Sequence, residues 1–170
     1  MNKIKTKKIV MAALFTALTV IATMLIIIPI PGGSGYVNMG DAIILIGSFV
    51  GTHLTSMIFA GLGSGLADIL SGYALYALAT IIVKGLMGLV ASKVFISLKK
   101  STKGAILSAV LAEIIMISGY FIYEMFILKV GAMAYVSIGA NGVQGAFAIA
   151  VSIISYYAIK KSGALKKLGL

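Results

Sequence analysis

Residues 41–70 read DAIILIGSFVGTHLTSMIFAGLGSGLADIL, a stretch whose only carboxylates lie near its two ends. A single helix of this length would extend about 45 Å, well beyond the roughly 30 Å hydrocarbon layer of a bilayer. Gly51-Thr52-His53 interrupts the run near its middle with one flexible residue and two polar ones. The stretch therefore predicts a hairpin of two short helices.

Charge placement reaches the same conclusion independently. The lysines cluster at Lys3, Lys5, Lys7 and Lys8, at Lys93, Lys99, Lys100 and Lys103, and at Lys160, Lys161, Lys166 and Lys167; only Lys84 and Lys129 stand apart. Lysine excess marks cytoplasmic loops, so the chain must cross an even number of times between the first two clusters. Three apolar stretches lie there, over 9–28, 41–70 and 74–98, so one of them must be double. With the stretches at 104–128 and 132–158, this predicts an all-α integral membrane protein with six transmembrane helices. Both termini are cytoplasmic, and the outer loops lie around 29–40, 71–77 and 129–137. Residues 1–170 are expected to form a single membrane domain, with helices over about 9–28, 40–51, 54–70, 76–98, 104–128 and 136–159. The apolar run from Ile9 to Ile28 is long enough to span, and is read as a retained first helix rather than a signal peptide.

Composition supports this class and narrows the chemistry. The chain is 61% hydrophobic and 11% charged, and its mean hydropathy of +1.13 lies outside the range of soluble globular domains. With no cysteine and one histidine, neither a disulfide framework nor a conventional metal site can be built; no metal and no cofactor is expected. The net charge of +10 comes from lysines that flank apolar spans, where the partner is an anionic lipid leaflet and not nucleic acid. Gly61-Leu62-Gly63-Ser64-Gly65 follows no strand, and no phosphate-binding Gly-x-x-x-x-Gly-Lys-Ser/Thr run exists, so the chain does not hydrolyse ATP itself. Tyr36, Tyr73, Tyr76, Tyr120, Tyr123 and Tyr135 fall at the outer face, and Tyr156 and Tyr157 at the inner one, as an interfacial belt would.

A charge held in hydrocarbon costs roughly 2.5 to 3.5 kcal/mol even on the lenient insertion scale, so such residues mark functional candidates. At 100° per residue, Glu113, Ile117, Tyr120 and Glu124 share one helical stripe running from mid-membrane to the outer surface. Asn141 and Gln144 lie one turn apart on helix six, in line with Ala148, Ser152 and Ser155. Lys84 sits at a similar depth on helix four, with Thr80 above it and Gly85 and Gly88 beside it. Two readings are open. In one, Lys84 serves only to neutralise Glu113, Glu124 or Asp68 and tie the bundle together; in the other, the surplus of amides, carboxylates and phenol forms a concave site for a small polar ligand. Asp41 and Asp68, at helix ends, are weaker candidates, Asp41 having a capping role at a helix N-terminus. His53 is expected at the cytoplasmic turn. Ala13 and Ala17 form a small-xxx-small pair suited to close helix contact within the bundle.

Several motifs, taken in order, carry a family resemblance: Lys8-Ile9-Val10-Met11-Ala12-Ala13-Leu14-Phe15-Thr16-Ala17, Val37-Asn38-Met39-Gly40-Asp41, Gly65-Leu66-Ala67-Asp68-Ile69-Leu70-Ser71-Gly72-Tyr73, Val83-Lys84-Gly85-Leu86, Gly119-Tyr120-Phe121-Ile122-Tyr123-Glu124 and Asn141-Gly142-Val143-Gln144-Gly145. In this order and spacing the chain resembles a substrate-binding S component of an energy-coupling factor (ECF) vitamin transporter. It is most similar to the riboflavin-type branch, which also includes proteins assigned to hydroxymethylpyrimidine or vitamin B6. The resemblance implies a high-affinity, membrane-embedded binding subunit of an ABC-type importer, with a lid-like outer loop between helices one and two. It would dock on a transmembrane coupling subunit driven by two cytoplasmic ATPase subunits, using Ala13 and Ala17. It also implies substrate contacts from Asn38, Tyr73, Lys84, Glu113, Tyr120, Glu124, Asn141 and Gln144, of which the last six are also singled out by the residue pattern. With no tryptophan, ring recognition falls to Tyr and Phe, and a vitamin B6 vitamer or hydroxymethylpyrimidine is favoured, riboflavin next. The expected location is the plasma membrane of a prokaryote. Rival readings are a self-sufficient proton-coupled transporter using Glu113, a membrane-embedded enzyme, for which no nucleophile motif is present, and a structural interaction protein.

Overall fold

A computed structural model describes residues 3–30 and 35–163, with backbone alone for 3–5. Its elements in order are α1 (Lys3–Leu25), β1 (Ile28–Pro29), β2 (Tyr36–Val37), α2 (Gly40–Val50), α3 (His53–Leu70), α4 (Ala74–Ser97), α5 (Thr102–Ile122), a π-helical turn (Tyr123–Ile127) and α6 (Met133–Lys161). Five helices are long and apolar enough to cross a membrane. The shorter α2, at 11 residues, is only about 16 Å long.

The break at Gly51 is present and has a local cause. Thr52 adopts an extended conformation and its hydroxyl caps α3, with Thr55 reciprocating, so the helix restarts at once. The two helices nevertheless pack more on other elements than on each other. α2 packs mainly on α6, α1 and α4, whereas α3 packs on α4 and α1. Glycines explain the choice. A Cβ at Gly61 would lie 2.7 Å from the Ile81 carbonyl oxygen, one at Gly88 2.5 Å from the Ser56 carbonyl oxygen, and one at Gly63 2.8 Å from Thr19 Cβ. The two faces of α3 are thus committed to α4 and α1 at distances that only glycine permits. Gly88→Ala should destabilise the protein by about 1 to 3 kcal/mol through overpacking against backbone. Gly139→Ala, where nothing lies within 4 Å, is the control. A thermal midpoint of detergent-solubilised protein that falls equally in both variants would contradict this account.

Several boundaries differ from the sequence reading. α1 stops at Leu25, because the residues before Pro29 turn extended and pair in a two-stranded antiparallel hairpin, Ile28 opposite Val37 and Pro29 opposite Tyr36. Residues 31–34 of the anticipated lid lie outside the described residues, as do Lys166 and Lys167. α5 does not run unbroken to residue 128 but ends in the π turn. α6 starts early, at Met133, after Lys129 and Gly131 turn the chain with positive φ. Ala13 and Ala17 do not pack inside the bundle: they lie on the exposed face of α1 beside Leu14 and Leu18.

The apolar core fills the half of the bundle farther from the hairpin. Phe49, Phe95 and Tyr156 meet there with ring centroids 4.8 to 5.5 Å apart. Tyr156 is buried rather than a belt residue, and its hydroxyl donates to the Lys100 carbonyl at 2.6 Å. At the same end His53 meets Ser92 at 3.2 Å. Polar side chains concentrate in the opposite half, under the β hairpin.

Candidate functional site

Under the hairpin lies a narrow cleft formed by Ile30, Gly35, Tyr36 and Asn38 from the hairpin, Asp68 from α3, Tyr76 and Thr80 from α4, Tyr120 from α5, Glu124 from the π turn, and Asn141 and Gln144 from α6. Its free volume, about 20 Å³, holds little more than one water molecule. The cleft joins the hairpin to four helices, counting the π turn with α5, and nine of its eleven lining residues carry polar side chains.

A chain of buried polar contacts forms its floor. Lys84, 2% exposed, is ion-paired to Asp41, 0% exposed. The other Asp41 oxygen accepts the Gln144 side-chain N–H, and the Gln144 oxygen in turn accepts the Asn38 backbone N–H. The Lys84 ammonium also lies 5.4 Å from the centre of the Tyr120 ring, within cation–π range. The charge pair therefore orients Gln144, and Gln144 anchors the foot of the hairpin. This corrects one expectation: Lys84 is neutralised by Asp41 and not by Glu113, Glu124 or Asp68. Asp41 does stand in the first turn of α2, and the Asn38 side-chain oxygen accepts the Gly40 N–H there at 2.8 Å. Gly40 itself must be glycine, since a Cβ there would stand 2.2 Å from Thr23 Oγ1.

Tyrosines form the upper walls. Tyr36 donates its hydroxyl to Asp68 at 2.6 Å and packs its ring on Tyr73, with centroids 4.4 Å apart. Burial, then the hydrogen bond to Asp68 and its charge, pushes the Tyr36 phenol well above its ordinary pKa, so it stays a donor. Tyr76 donates to Glu124 at 2.9 Å, and Tyr120 shares a 3.0 Å hydrogen bond with Thr80. The π turn that carries Glu124 has a reason to be where it is. By inserting one extra residue into the turn it presents Glu124 inward, 1% exposed, instead of leaving it at a helix terminus.

Of the residues expected to bind, Asn38, Tyr120, Glu124, Asn141 and Gln144 line the cleft together. Three do not. Lys84 lies beneath it, behind Asp41; Tyr73 supports Tyr36 from behind; and Glu113, 2% exposed, sits deeper, with Gly145 beside it and no hydrogen bond to either oxygen. The cleft also contains Tyr36, Asp68, Tyr76 and Thr80, which the sequence reading left in the aromatic belt or ranked lower. The Gly-Leu-Ala-Asp run at 65–68 and the i, i+4 spacing of Tyr76 and Thr80 were the available signals. Among the described residues, no three His, Asp or Glu side chains converge to hold a metal ion.

Known proteins give this arrangement a family. The model of the ECF-type riboflavin transporter S component matches residues 3–161, nearly the whole chain. The chain belongs to this S-component family. It is also 34% identical over 128 residues to a Pyrococcus woesei protein described as "Uncharacterized protein in gap 3'region", a match covering 75% of this chain and 78% of that one. Membership makes the chain a substrate-binding subunit of a membrane vitamin transporter, and not an enzyme. It implies a small vitamin as substrate, and a coupling component with ATPases as partners. Together with five helices of spanning length, it places the S component in a prokaryotic plasma membrane.

Proposed function

We propose that this S component captures a small heteroaromatic vitamin or precursor in the cleft under the hairpin, a vitamin B6 vitamer or hydroxymethylpyrimidine before riboflavin, and delivers it by docking on a coupling subunit driven by two ATPases. The observation that carries this reading is the convergence, in one cleft, of amide, carboxylate and phenol groups from the hairpin and four successive helical elements. Such a set can meet the hydroxyls and ring nitrogen of a small heterocycle while a tyrosine covers its face. Asn141 is the clearest candidate for direct contact, since it is buried in the cleft wall and no hydrogen bond to another described residue holds its side chain.

In this proposal Asn38, Tyr120, Glu124, Asn141 and Gln144 touch the ligand. Lys84 and Tyr73 hold those residues in place, and Glu113 lies below as the deepest member. The cleft opens toward the outside, with both termini inside and α2 as part of a sixth crossing, shielded from lipid by its neighbours. The hairpin at 28–37 is the lid. The exposed Ala13 and Ala17 face supplies the flat, small-residue surface on which a partner helix can approach closely.

Mass spectrometry of small molecules released from the purified, unsupplemented protein tests the assignment. A B6 vitamer or pyrimidine should appear, and titration of that compound should show about a tenfold loss of affinity in Asn141→Ala, the worth of one or two hydrogen bonds. If no B6 vitamer, pyrimidine or flavin co-purifies or binds, the assignment is wrong.

A further inference from the structure

The cleft is acidic beyond anything the protein itself neutralises. The chain has four carboxylates, Asp41, Asp68, Glu113 and Glu124, and all four are buried. Lys84 is the one buried lysine among the described residues, and Asp41 already holds it. Lys129, at the same end of the bundle, is exposed and takes no part in the cleft wall. Asp68 and Glu124 therefore share the cleft without a cation. Each is satisfied only in part: a phenol, Tyr36 or Tyr76, donates to one oxygen, and the Thr80 hydroxyl stands beside Asp68, while Asp68 Oδ2 and Glu124 Oε2 are buried with no direct hydrogen-bond partner among the described residues. A half-satisfied buried carboxylate is costly. Two of them lining one cleft form a built acceptor site with its donors missing.

We propose that the cleft selects a protonated amine or amino-substituted heterocycle, a cation that donates one N–H to Asp68 and another to Glu124. This rests on reading the cleft as the vitamin site, and narrows the class of ligand it takes. The phenols occupy one oxygen of each carboxylate and leave the other free, so the charge of the ligand replaces the missing counter-ion. A neutral ring bearing hydroxyls could donate to the same oxygens but would leave both anions uncompensated. A phosphorylated form would add like charge and be rejected.

Matched pairs separate this from the broader assignment. Purified full-length protein would be titrated calorimetrically with pyridoxamine against pyridoxine, and with 4-amino-5-hydroxymethyl-2-methylpyrimidine against its 4-hydroxy analogue. Riboflavin serves as a neutral reference and pyridoxamine 5′-phosphate as an anionic one. The amino member of at least one pair should bind at least about tenfold tighter than its partner, and the phosphate should bind at least about tenfold more weakly than pyridoxamine. In Asp68→Asn and Glu124→Gln the preference for the amino member should shrink to about threefold or less. A neutral member that binds as tightly as its amino partner in both pairs, or an amine preference that survives both substitutions, overturns the inference and leaves the vitamin assignment standing. No binding by any compound overturns both. The paired comparison on the unsubstituted protein decides even if a variant fails to fold.

Discussion

Lys84→Met should be among the most damaging single substitutions in this chain, costing about 3 to 5 kcal/mol of stability, because it leaves Asp41 charged and unpaired at the centre of the bundle. Asp41 is fully buried and held by Lys84 and Gln144. Neutralising both partners should recover most of the loss. In Lys84→Met/Asp41→Asn, the asparagine oxygen can still accept the Gln144 N–H, and no charge remains to be desolvated. A double-mutant cycle on thermal midpoints in detergent therefore predicts a coupling of several kcal/mol, with the double variant much closer to the parent than Lys84→Met alone. Equal damage in the single and double variants would mean that Lys84 matters for something other than Asp41. Ligand affinity in the double variant should fall by no more than about tenfold, since Asn141, Tyr120 and Glu124 remain in the cleft wall.

That pairing shows what the sequence could and could not disclose. Apolar length and lysine parity made six helical segments legible, because the bilayer imposes one length and one charge rule on every span. The depth of Asn141, Gln144 and Tyr120 was legible for the same reason, since helical pitch converts residue number directly into height. Which carboxylate would find Lys84 was not. Depth says nothing about lateral order, and α2 packs more on α6 than on α3, whose glycines hold α1 and α4 close. Asp41, expected as a cap, stands at the centre of the site. Glu124 was legible in position but not in mechanism: the helical stripe through Glu113 and Tyr120 assumes a uniform turn, and the π turn at Tyr123–Ile127 departs from it. The share of Tyr36 and Tyr76 in the cleft was hidden by their chemistry. A tyrosine at the membrane interface satisfies the belt rule whether its hydroxyl meets water or a carboxylate.

Tyr36→Phe should speed ligand exchange by about tenfold or more in both directions while changing Kd by no more than about threefold. The cleft as it stands has about 20 Å³ free, far below the roughly 300 Å³ or more of ordinary small-molecule sites, so entry of a vitamin requires the hairpin to move. What holds β2 down is the Tyr36 hydroxyl on Asp68 and the Tyr36 ring on Tyr73. A hydrogen bond to a carboxylate is worth about 1.5 to 3 kcal/mol, and an aromatic pair about 0.5 to 1.5 kcal/mol. Phenylalanine removes the first and keeps the second. Under the proposed function the same latch closes over the ligand, so weakening it lowers the barrier to entry and to escape alike, and the equilibrium between them moves little. Tyr36→Ala removes both contacts and should exchange faster still. Stopped-flow association and dissociation on the purified protein read the two rates separately. A slower exit, or a large loss of affinity with entry unchanged, would show that Tyr36 grips the ligand itself and that the gate lies elsewhere. The foot of the hairpin obeys different physics. There the Asn38 N–H is held by Gln144, and Gln144 by Asp41, so the paired strands can lift while the charge pair keeps the base fixed.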